Sequence, residues 1–478
     1  MSTLAAPHRS QSTDATIEAA PTRALVSWTM YDWAAQPFYT LITTFLFAPY
    51  FANAVYGDKV AGQAAWGYAA AIAGIFIALG SPFLGALADG RGRRKPWLAL
   101  FAVIFVAGQC ALWFATPDAS PATIYFVLFA FIVAAVAAEY AQVFTNAIMP
   151  SLVPSQQLGR LSGAGWAAGY FGGLASLIVM IGLIAPVPET GKTLLGLTPL
   201  LTLDTAAREG DRLAGPFAAV WFVIFVIPFF LFVPDKPAQQ RVAPGTSVAP
   251  LKSPLAELSD TLKSLPSNII LFLVARMFYS DGLTAIFTFG GIYGAAVFGW
   301  GPVELGIFGL VLTLVGAIGA LAGGHLDDVL GSKFVIVGAL MALMAGAIGI
   351  LSVDATHVLF VHDVAAKTKG SAPFSSVGEQ VFLAFAILVG FVSAPVQASS
   401  RSLLARLAPP EKVTQYFGLF AFSGKATAFA APLLVALVTN AFGDQRIGMA
   451  SVLVFLIVGA LMMLLVDTRP RDTRPGEV

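Results

Sequence analysis

The feature that most constrains the fold of this sequence is a series of long apolar segments. A helix needs about 20 apolar residues to cross the hydrocarbon core of a bilayer. Open sheets cannot cross it, and these segments are too long for barrel strands. The sequence therefore predicts an all-α membrane protein with twelve transmembrane helices, at 28–55, 66–88, 97–116, 122–149, 159–185, 216–233, 268–298, 303–326, 333–352, 380–406, 413–440 and 447–466.

Composition points the same way and excludes other classes. Of the 478 residues, 57% are hydrophobic and 11% are charged, whereas soluble domains carry about 25% charged residues. The net charge of +1 gives no sign of nucleic-acid binding, and a single cysteine, Cys110, excludes an internal disulfide or cysteine metal cluster. His357 and His362 are interpreted as solvated loop. Without a phosphate-binding glycine loop or nucleophile elbow, we expect no enzyme activity, cofactor or metal.

Basic residues are distributed unequally over the connections. With the N-terminus inside, 17 of the 27 lysines and arginines lie in inside segments, 7 lie in outside segments and three lie within spans. Because basic residues favour the cytoplasmic side, both termini are predicted in the cytoplasm. The predicted divisions are a disordered tail, a six-helix half, a proline-rich linker with a short helix at 254–265, a second six-helix half and a second tail, at 1–26, 27–233, 234–267, 268–466 and 467–478.

The two halves repeat each other. An offset of 239 residues places Gly85 on Gly324 and Asp89 on Asp328. An offset of 255 residues relates spans 4 and 5 to spans 10 and 11 through three pairs: Gln142 and Gln397, Asn146 and Arg401, and Gly163 and Gly418. Such an internal duplication, with six helices in each copy, is typical of transporters that hold substrate midway between the halves.

The motif "GALADGRGRRKPW", which begins at Gly85, resembles the signature loop of the major facilitator superfamily. The dipole of its own helix disfavours an acid at the C-terminal end, so Asp89 is better placed against the N-terminus of another helix. In that family it contacts the start of span 11, and basic residues bind across the loop. The resemblance implies a conformational latch of Asp89, Arg93 and Arg94, with Asp328 as the second-half counterpart. Alternatively, the basic residues only set the topology.

Four longer blocks resemble a narrower family, the vacuolar amino-acid effluxers linked to autophagy, in its bacterial branch. They are "YDWAAQPFYT" in span 1, "SGAGWAAGYFGG" in span 5, "FYSDGLTAIFTFGGIYGA" in span 7, and "VQASSRSLLARLAPPEKVTQYFGLFAFSGKATAFAAPLL" across spans 10 and 11. The resemblance implies the facilitator fold, a monomer and a place in a bacterial inner membrane. It also makes amino acids the first candidate cargo, since fungal members are implicated in releasing amino acids from the vacuole.

A charge at the bilayer centre costs about 2.5–3.5 kcal/mol on insertion scales, and residues kept despite this cost usually face a wet cavity or a partner. Acidic residues within the spans are therefore candidate site residues. Asp32 in span 1 and Asp281 in span 7 are each predicted to face a central cavity and to bind a proton or a substrate amine. Alternatively, Asp32 is an N-terminal acid that favours its helix dipole. Glu139 is a candidate proton carrier that shares one helical face with Gln142 and Asn146. The alternative for these three is an interhelical hydrogen bond without a transport role.

Positive residues within the spans complement these acids. Arg276, Arg401 and Lys425 can capture a substrate carboxylate or neutralise a resident acid. Gln397 lies one turn before Arg401 and completes the predicted set. Alternatively, these charges only pair internally, for example Arg276 with Asp281.

The sequence thus predicts a secondary active transporter for a small polar solute, working by alternating access in the lipid bilayer. Amino acids are the first candidate cargo and protons the first candidate coupling ion. Sugars, peptides and amphiphilic drugs remain alternatives within this class. An alternative of another class is a non-transporting membrane receptor or scaffold on the same fold.

Overall fold

The computed structural model describes residues 18–187, 190–235, 254–368 and 371–468. Within these residues, twelve helices are long and apolar enough to cross a membrane, which confirms the predicted all-α fold. Parts of the predicted tails and linker, at 1–17, 236–253 and 469–478, lie outside the described residues. Spans 1 to 12 are Thr22–Val55, Lys59–Gly90, Lys95–Phe114, Pro121–Ser151, Ser155–Ile184, Glu209–Phe232, Ser267–Phe298, Val303–Leu330, Ser332–Leu351, Val377–Leu407, Pro410–Phe442 and Gln445–Leu465.

Every span overlaps its predicted segment, and the largest differences lie at helix starts. Span 2 begins at Lys59 rather than 66, and span 6 begins at Glu209 rather than 216. The start of span 2 is set by Asp58, whose carboxylate accepts hydrogen bonds from the N–H groups of Val60 and Ala61 at 2.9 and 3.0 Å. Hydropathy detects the residues inside the hydrocarbon, whereas capping extends a helix into the polar interface.

Span 11 is not the single helix expected at 413–440. It consists of two α-helical segments, Val413–Lys425 and Ala430–Phe442, joined by a turn at 426–429. Pro432 explains the interruption, because proline has no N–H to donate to the carbonyl of Ala428 and its ring crowds the preceding turn. The turn lies midway along the span.

Two elements lie in the connections. The linker carries a helix at Pro254–Lys263, close to the one predicted at 254–265. In the loop before span 10, the two-residue strands His357–Val358 and His362–Asp363 pair antiparallel. The two ring nitrogens of His357 each lie 3.1 Å from a carboxylate oxygen, one of Asp354 and one of Asp363, so this histidine is held within the loop.

The two halves cross where glycines bring backbones into contact. A β-carbon added to Gly163 of span 5 would lie 2.3 Å from the carbonyl oxygen of Ala320 in span 8. One added to Gly418 of span 11 would lie 2.4 Å from the carbonyl oxygen of Ser81 in span 2. Gly163 and Gly418 are equivalent in the repeat, so the same close packing occurs twice.

Substitution of Gly418 by valine should destabilise this crossing. The added side chain has no space against span 2, and overpacking costs about 1–3 kcal/mol. We expect Gly418→Val to lower the melting temperature of the detergent-solubilised protein. Gly338→Val is the control, since a β-carbon at Gly338 meets no atom within 4 Å. Equal melting of the two variants would contradict the close crossing.

Candidate functional site

Asp89, at the end of span 2, contacts the start of span 11 as the motif implied. Its carboxylate accepts hydrogen bonds from the backbone N–H groups of Thr414 and Gln415, at 3.2 and 2.8 Å. The N-terminus of a helix carries free N–H groups and partial positive charge, which an acid satisfies. Arg94 completes the contact: its Nη2 lies 3.6 Å from Asp89, and its Nε donates to the hydroxyl of Thr414 at 2.8 Å. We call this end of the bundle the latch end.

Arg93 does not take part in this contact, which corrects the expectation for that residue. It is exposed and lies along a surface groove with Lys95 and Asp235. Gly92 explains the difference, because its φ of +80° ends span 2 in the left-handed conformation and reverses the chain. After this turn Arg94 is buried against span 11, whereas Arg93 faces outward.

Asp328, at the end of span 8, makes the equivalent contact with span 5. Its carboxylate accepts from the N–H groups of Gly159 and Arg160, at 2.8 and 3.1 Å, and from the Nε of Arg160 at 2.9 Å. Arg406 of span 10 lies 3.3 Å from Asp328 and also pairs with the neighbouring Asp327, which is buried. Arg406 is one of the basic residues counted for the inside segments, and no motif predicted this second role.

The linker helix rests on the same region. The hydroxyl of Thr261 donates to the side-chain oxygen of Gln415 at 2.8 Å and accepts from the ammonium of Lys412 at 3.0 Å. Thr261 is buried. The segment that connects the halves is thus bonded to the first turn of span 11, directly beside Asp89.

A cavity of about 420 Å³ lies between the halves and is lined by spans 1, 4, 5, 7, 10 and 11. Its volume is within the range of about 300–1,000 Å³ that small-molecule sites occupy. Of the nine predicted binding or coupling residues, eight line this cavity: Asp32, Glu139, Gln142, Asn146, Arg276, Gln397, Arg401 and Lys425. It also has aromatic walls, formed by Tyr39, Trp166, Tyr170, Phe417 and Phe420.

Asp32 and Arg401 form a largely enclosed ion pair across the two halves. Their charged atoms lie 3.1 Å apart, and their side chains are 14% and 4% exposed. Arg401 also donates to the hydroxyl and carbonyl oxygens of Ser162, at 2.8 and 2.6 Å, and to Asn146 at 3.3 Å. Its guanidinium lies 5.0 Å from the ring of Trp28. With so many donors satisfied, Arg401 is held rigidly.

Glu139 and Lys425 form a second pair across the halves, which is far more open. The carboxylate of Glu139 lies 3.0 Å from the ammonium of Lys425, and their side chains are 21% and 37% exposed. Within the described part of the chain, neither side chain forms a further ion pair or hydrogen bond. Such a pair can exchange partners with a polar solute at small cost.

Arg276 does not pair with Asp281, which was one interpretation of the sequence. It donates to the carbonyl oxygen of Phe420 at 2.6 Å and to the hydroxyl of Ser423 at 2.8 Å. Its guanidinium lies 3.4 Å above the Phe420 ring. Gly424 leaves room for it, because an added β-carbon would lie 2.8 Å from its Nη1. Arg276 therefore binds span 7 to the first segment of span 11.

The prediction that Asp281 lines the same cavity is wrong. Its neighbour Ser280 faces the cavity, whereas Asp281 is 2% exposed and lies against the turn of span 11. Successive residues of a helix point about 100° apart, so one position decides which surface a side chain reaches. The motif "YSDG" showed that a polar residue faces inward, but not which one.

Two further residues of the site escaped the sequence analysis. Ser162, which holds Arg401, lies in a run of small residues and looked like packing. Gln36 lines the cavity one residue before Pro37, where span 1 changes to a π-helix at Phe38–Phe45. Such irregular turns are frequent at functional sites. The proline was the available signal.

Comparison with known proteins agrees with this architecture. The sequence profile of the family described as "Vacuole effluxer Atg22 like" matches residues 51–472. The chain belongs to this Atg22-like family. Autophagy-related protein 22 of Cryptococcus neoformans var. neoformans serotype D (strain B-3501A) is 25% identical over 63% of the chain. The chain spans about half of that fungal protein, 51% of its length.

A bacterial relative matches over nearly its full length. The "uncharacterized MFS-type transporter YxiO" of Bacillus subtilis (strain 168) is 24% identical over 94% of this chain and 95% of its own. Among solved structures, the proton:xylose symporter XylE has a TM-score of 0.67, with 12% identity over 93% of this chain and 94% of that one. FucP in its outward conformation has a TM-score of 0.66, with 13% identity over 93% and 98%. This Atg22-like protein is a multi-pass membrane transporter of the major facilitator superfamily.

Loss of the two latch acids should open the latch end. Removing an acid that satisfies helix N–H groups costs about 0.5–2 kcal/mol, so we expect Asp89→Ala with Asp328→Ala to expose the buried Ala320. The measurement is maleimide labelling of Ala320→Cys, with Cys110 replaced by serine. Asp363→Ala, in the loop before span 10, is the control. Labelling as slow as in the control would show that these acids do not hold the end closed.

The two ion pairs of the cavity should contribute differently to stability. Asp32→Asn leaves the enclosed Arg401 without its counter-charge, and breaking a buried pair costs about 3–5 kcal/mol. Glu139→Gln breaks the open pair, which is worth about 0–1 kcal/mol. Thermal unfolding in detergent should therefore show a large loss for the first variant and little change for the second. The reverse order would contradict the assigned burial.

Proposed function

We propose that this transporter moves a small zwitterionic solute, with amino acids as the first candidate, by alternating access coupled to protons. The observation that carries the proposal is the arrangement of charge in the cavity. Two ion pairs line it, Asp32 with Arg401 and Glu139 with Lys425, and each pair takes one member from each half. A solute with one negative and one positive group can bind between such pairs without leaving a net charge in the membrane.

Lys425 and Glu139 are the groups that we assign to direct solute contact. Their pair is the more exposed of the two, so the carboxylate of a solute can replace Glu139 at Lys425. The ammonium group of the solute can then bind Glu139 or Asp32, which are acceptors in the same cavity. Arg401, which is held by Ser162 and Asn146, would stay in place as a fixed positive charge. The aromatic walls supply apolar contact for a side chain.

The membrane position follows from the same proposal. We place the latch end on the cytoplasmic side of a bacterial inner membrane, with both termini in the cytoplasm, because basic residues concentrate there. The two six-helix halves at 27–233 and 268–466 would then rock about the cavity, and the linker at 234–267 would lie in the cytoplasm. A monomer suffices, since one chain carries both halves of the site.

A sugar is the second candidate. The cavity wall carries four amide side chains, of Gln36, Gln142, Asn146 and Gln397, which can hydrogen-bond hydroxyl groups. One protein of similar fold, XylE, is a proton:xylose symporter. The charges favour the zwitterion over the sugar, because an uncharged solute would make no use of the partly exposed ammonium group of Lys425.

A thermal-shift screen of the purified protein tests this proposal. The panel holds amino acids, dipeptides, sugars and amphiphilic drugs, each at two pH values. A ligand at 100 times its dissociation constant stabilises the folded state by about 2.7 kcal/mol, so we expect an upward shift with amino acids that Lys425→Met removes. Lys192→Met, at an exposed loop position, is the control and should keep the shift. A shift with sugars alone would overturn the zwitterion assignment.

A further inference from the structure

Asp281 lies near the middle of span 7, and no cationic side chain in the described part of the chain contacts its carboxyl. No ion pair of its carboxylate is found among the described residues, and its Oδ1 has no hydrogen-bond partner there. The residue is 2% exposed. Ionised carboxylates inside a membrane protein are costly unless they are paired. The other two mid-membrane acids, Asp32 and Glu139, are both paired.

The hydroxyl of Thr427 lies against this carboxyl, within the turn that divides span 11. It too is buried without a hydrogen-bond partner in the described structure. The two side chains thus bring unsatisfied oxygen atoms together where the first segment of span 11 ends. Helix C-termini carry partial negative charge, which favours a bound cation. This location is separate from the solute cavity, which neither side chain lines.

The surrounding elements offer little charge. Span 12 has no titratable residue between Val452 and Leu465, and it packs Phe455 and Leu456 against Gly282. The second segment of span 11, Ala430–Phe442, also has none.

The nearby cations are engaged elsewhere. Lys425, at the end of the first segment of span 11, is paired with Glu139, and Arg401 of span 10 is paired with Asp32. Arg276 acts on Asp281 only through its field, since it is bonded to Phe420 and Ser423. Tyr279 shares its hydroxyl with Ser400.

We propose that Asp281 binds the coupling proton, with Thr427 as its hydrogen-bonding neighbour, at a site distinct from the solute cavity. The inference rests on the proposed function for its role in coupling. A proton fits this site better than Na⁺, because the three side-chain oxygen atoms of Asp281 and Thr427 are too few to coordinate a metal cation but sufficient to hold an acid proton. A bound proton makes the Asp281 carboxyl neutral, so the carboxyl then needs no counter-charge.

Arg276 links this site to the solute. While Asp281 is protonated, Arg276 stays bonded to the first segment of span 11. When the proton leaves, a negative charge forms on the same helix and attracts the guanidinium. The contact with Phe420, which lines the cavity, then weakens. Proton occupancy behind the cavity would thereby alter the wall that the solute touches.

Infrared spectroscopy tests the proton site without any solute. The purified protein is titrated with pH, and the carbonyl stretch of protonated carboxyl groups is recorded for the wild type, Asp281→Asn and Thr427→Val. Asp363→Asn, an exposed acid-to-amide change, is the control. We expect a titrating band that Asp281→Asn removes, that Thr427→Val moves to higher frequency and that the control keeps. A wild-type spectrum without a band assignable to Asp281 would overturn the proposal.

Liposome assays test the coupling, with the amino acid that gives the largest thermal shift. Asp281→Asn should lose accumulation driven by a pH gradient while counterflow, which needs no gradient, continues. Accumulation equal to wild type, or accumulation driven by Na⁺ and indifferent to pH, would overturn the proposal. Loss of counterflow in this variant would make Asp281 a residue of solute exchange and also contradict it. Absence of counterflow in the wild type would instead refute the proposed solute.

Discussion

A charge inside the hydrocarbon must be neutralised, and in this protein the two halves neutralise each other. Asp32 faces Arg401 and Glu139 faces Lys425, in each case across the boundary between the halves. At the latch end, Asp89 takes its hydrogen bonds from span 11 of the opposite half. Each contact has one member in each half. When the halves separate, every charged group in these contacts therefore needs a new partner. Water can replace partners at the latch end, whereas the cavity depends on what binds there.

The internal repeat explains the scaffold better than it explains the cavity. Asp89 and Asp328 are equivalent in sequence and do the same work at the ends of spans 2 and 8. Asn146 and Arg401 are also equivalent in sequence, yet one is an amide and the other a cation, and they lie 3.3 Å apart in hydrogen-bonding contact. The duplicated positions therefore converge on the axis of the bundle. On the cavity wall, Gln142 and Gln397 have stayed identical, whereas Asn146 and Arg401 have diverged in chemistry.

Much of the fold and part of the site could be predicted from the sequence. Apolar length alone predicts the spans, because the bilayer imposes it on every crossing helix. The helix contacts of Asp89 and Asp328 followed from the resemblance of one motif to a known signature loop and from the repeat of that motif. The direction in which a single side chain points was harder to predict from the sequence. Asp281 and Ser280 are neighbours, and only the packing of span 7 against spans 11 and 12 decides which of them reaches the cavity. Ser162 resembled a packing residue because its partner is distant in sequence.

The turn at 426–429 allows the two helical segments of span 11 to move separately. Its first segment, Val413–Lys425, is a rigid rod of about 18 Å at 1.5 Å per residue. One end of that rod is gripped by Asp89 and by the linker helix, and the other carries the ammonium group that faces Glu139. Because the outer segment is joined only through a turn, the rod can tilt without dragging the outer half of the span. A movement of one end of this segment therefore also moves the other end. The latch end and the cavity can thus be coupled without any further element between them.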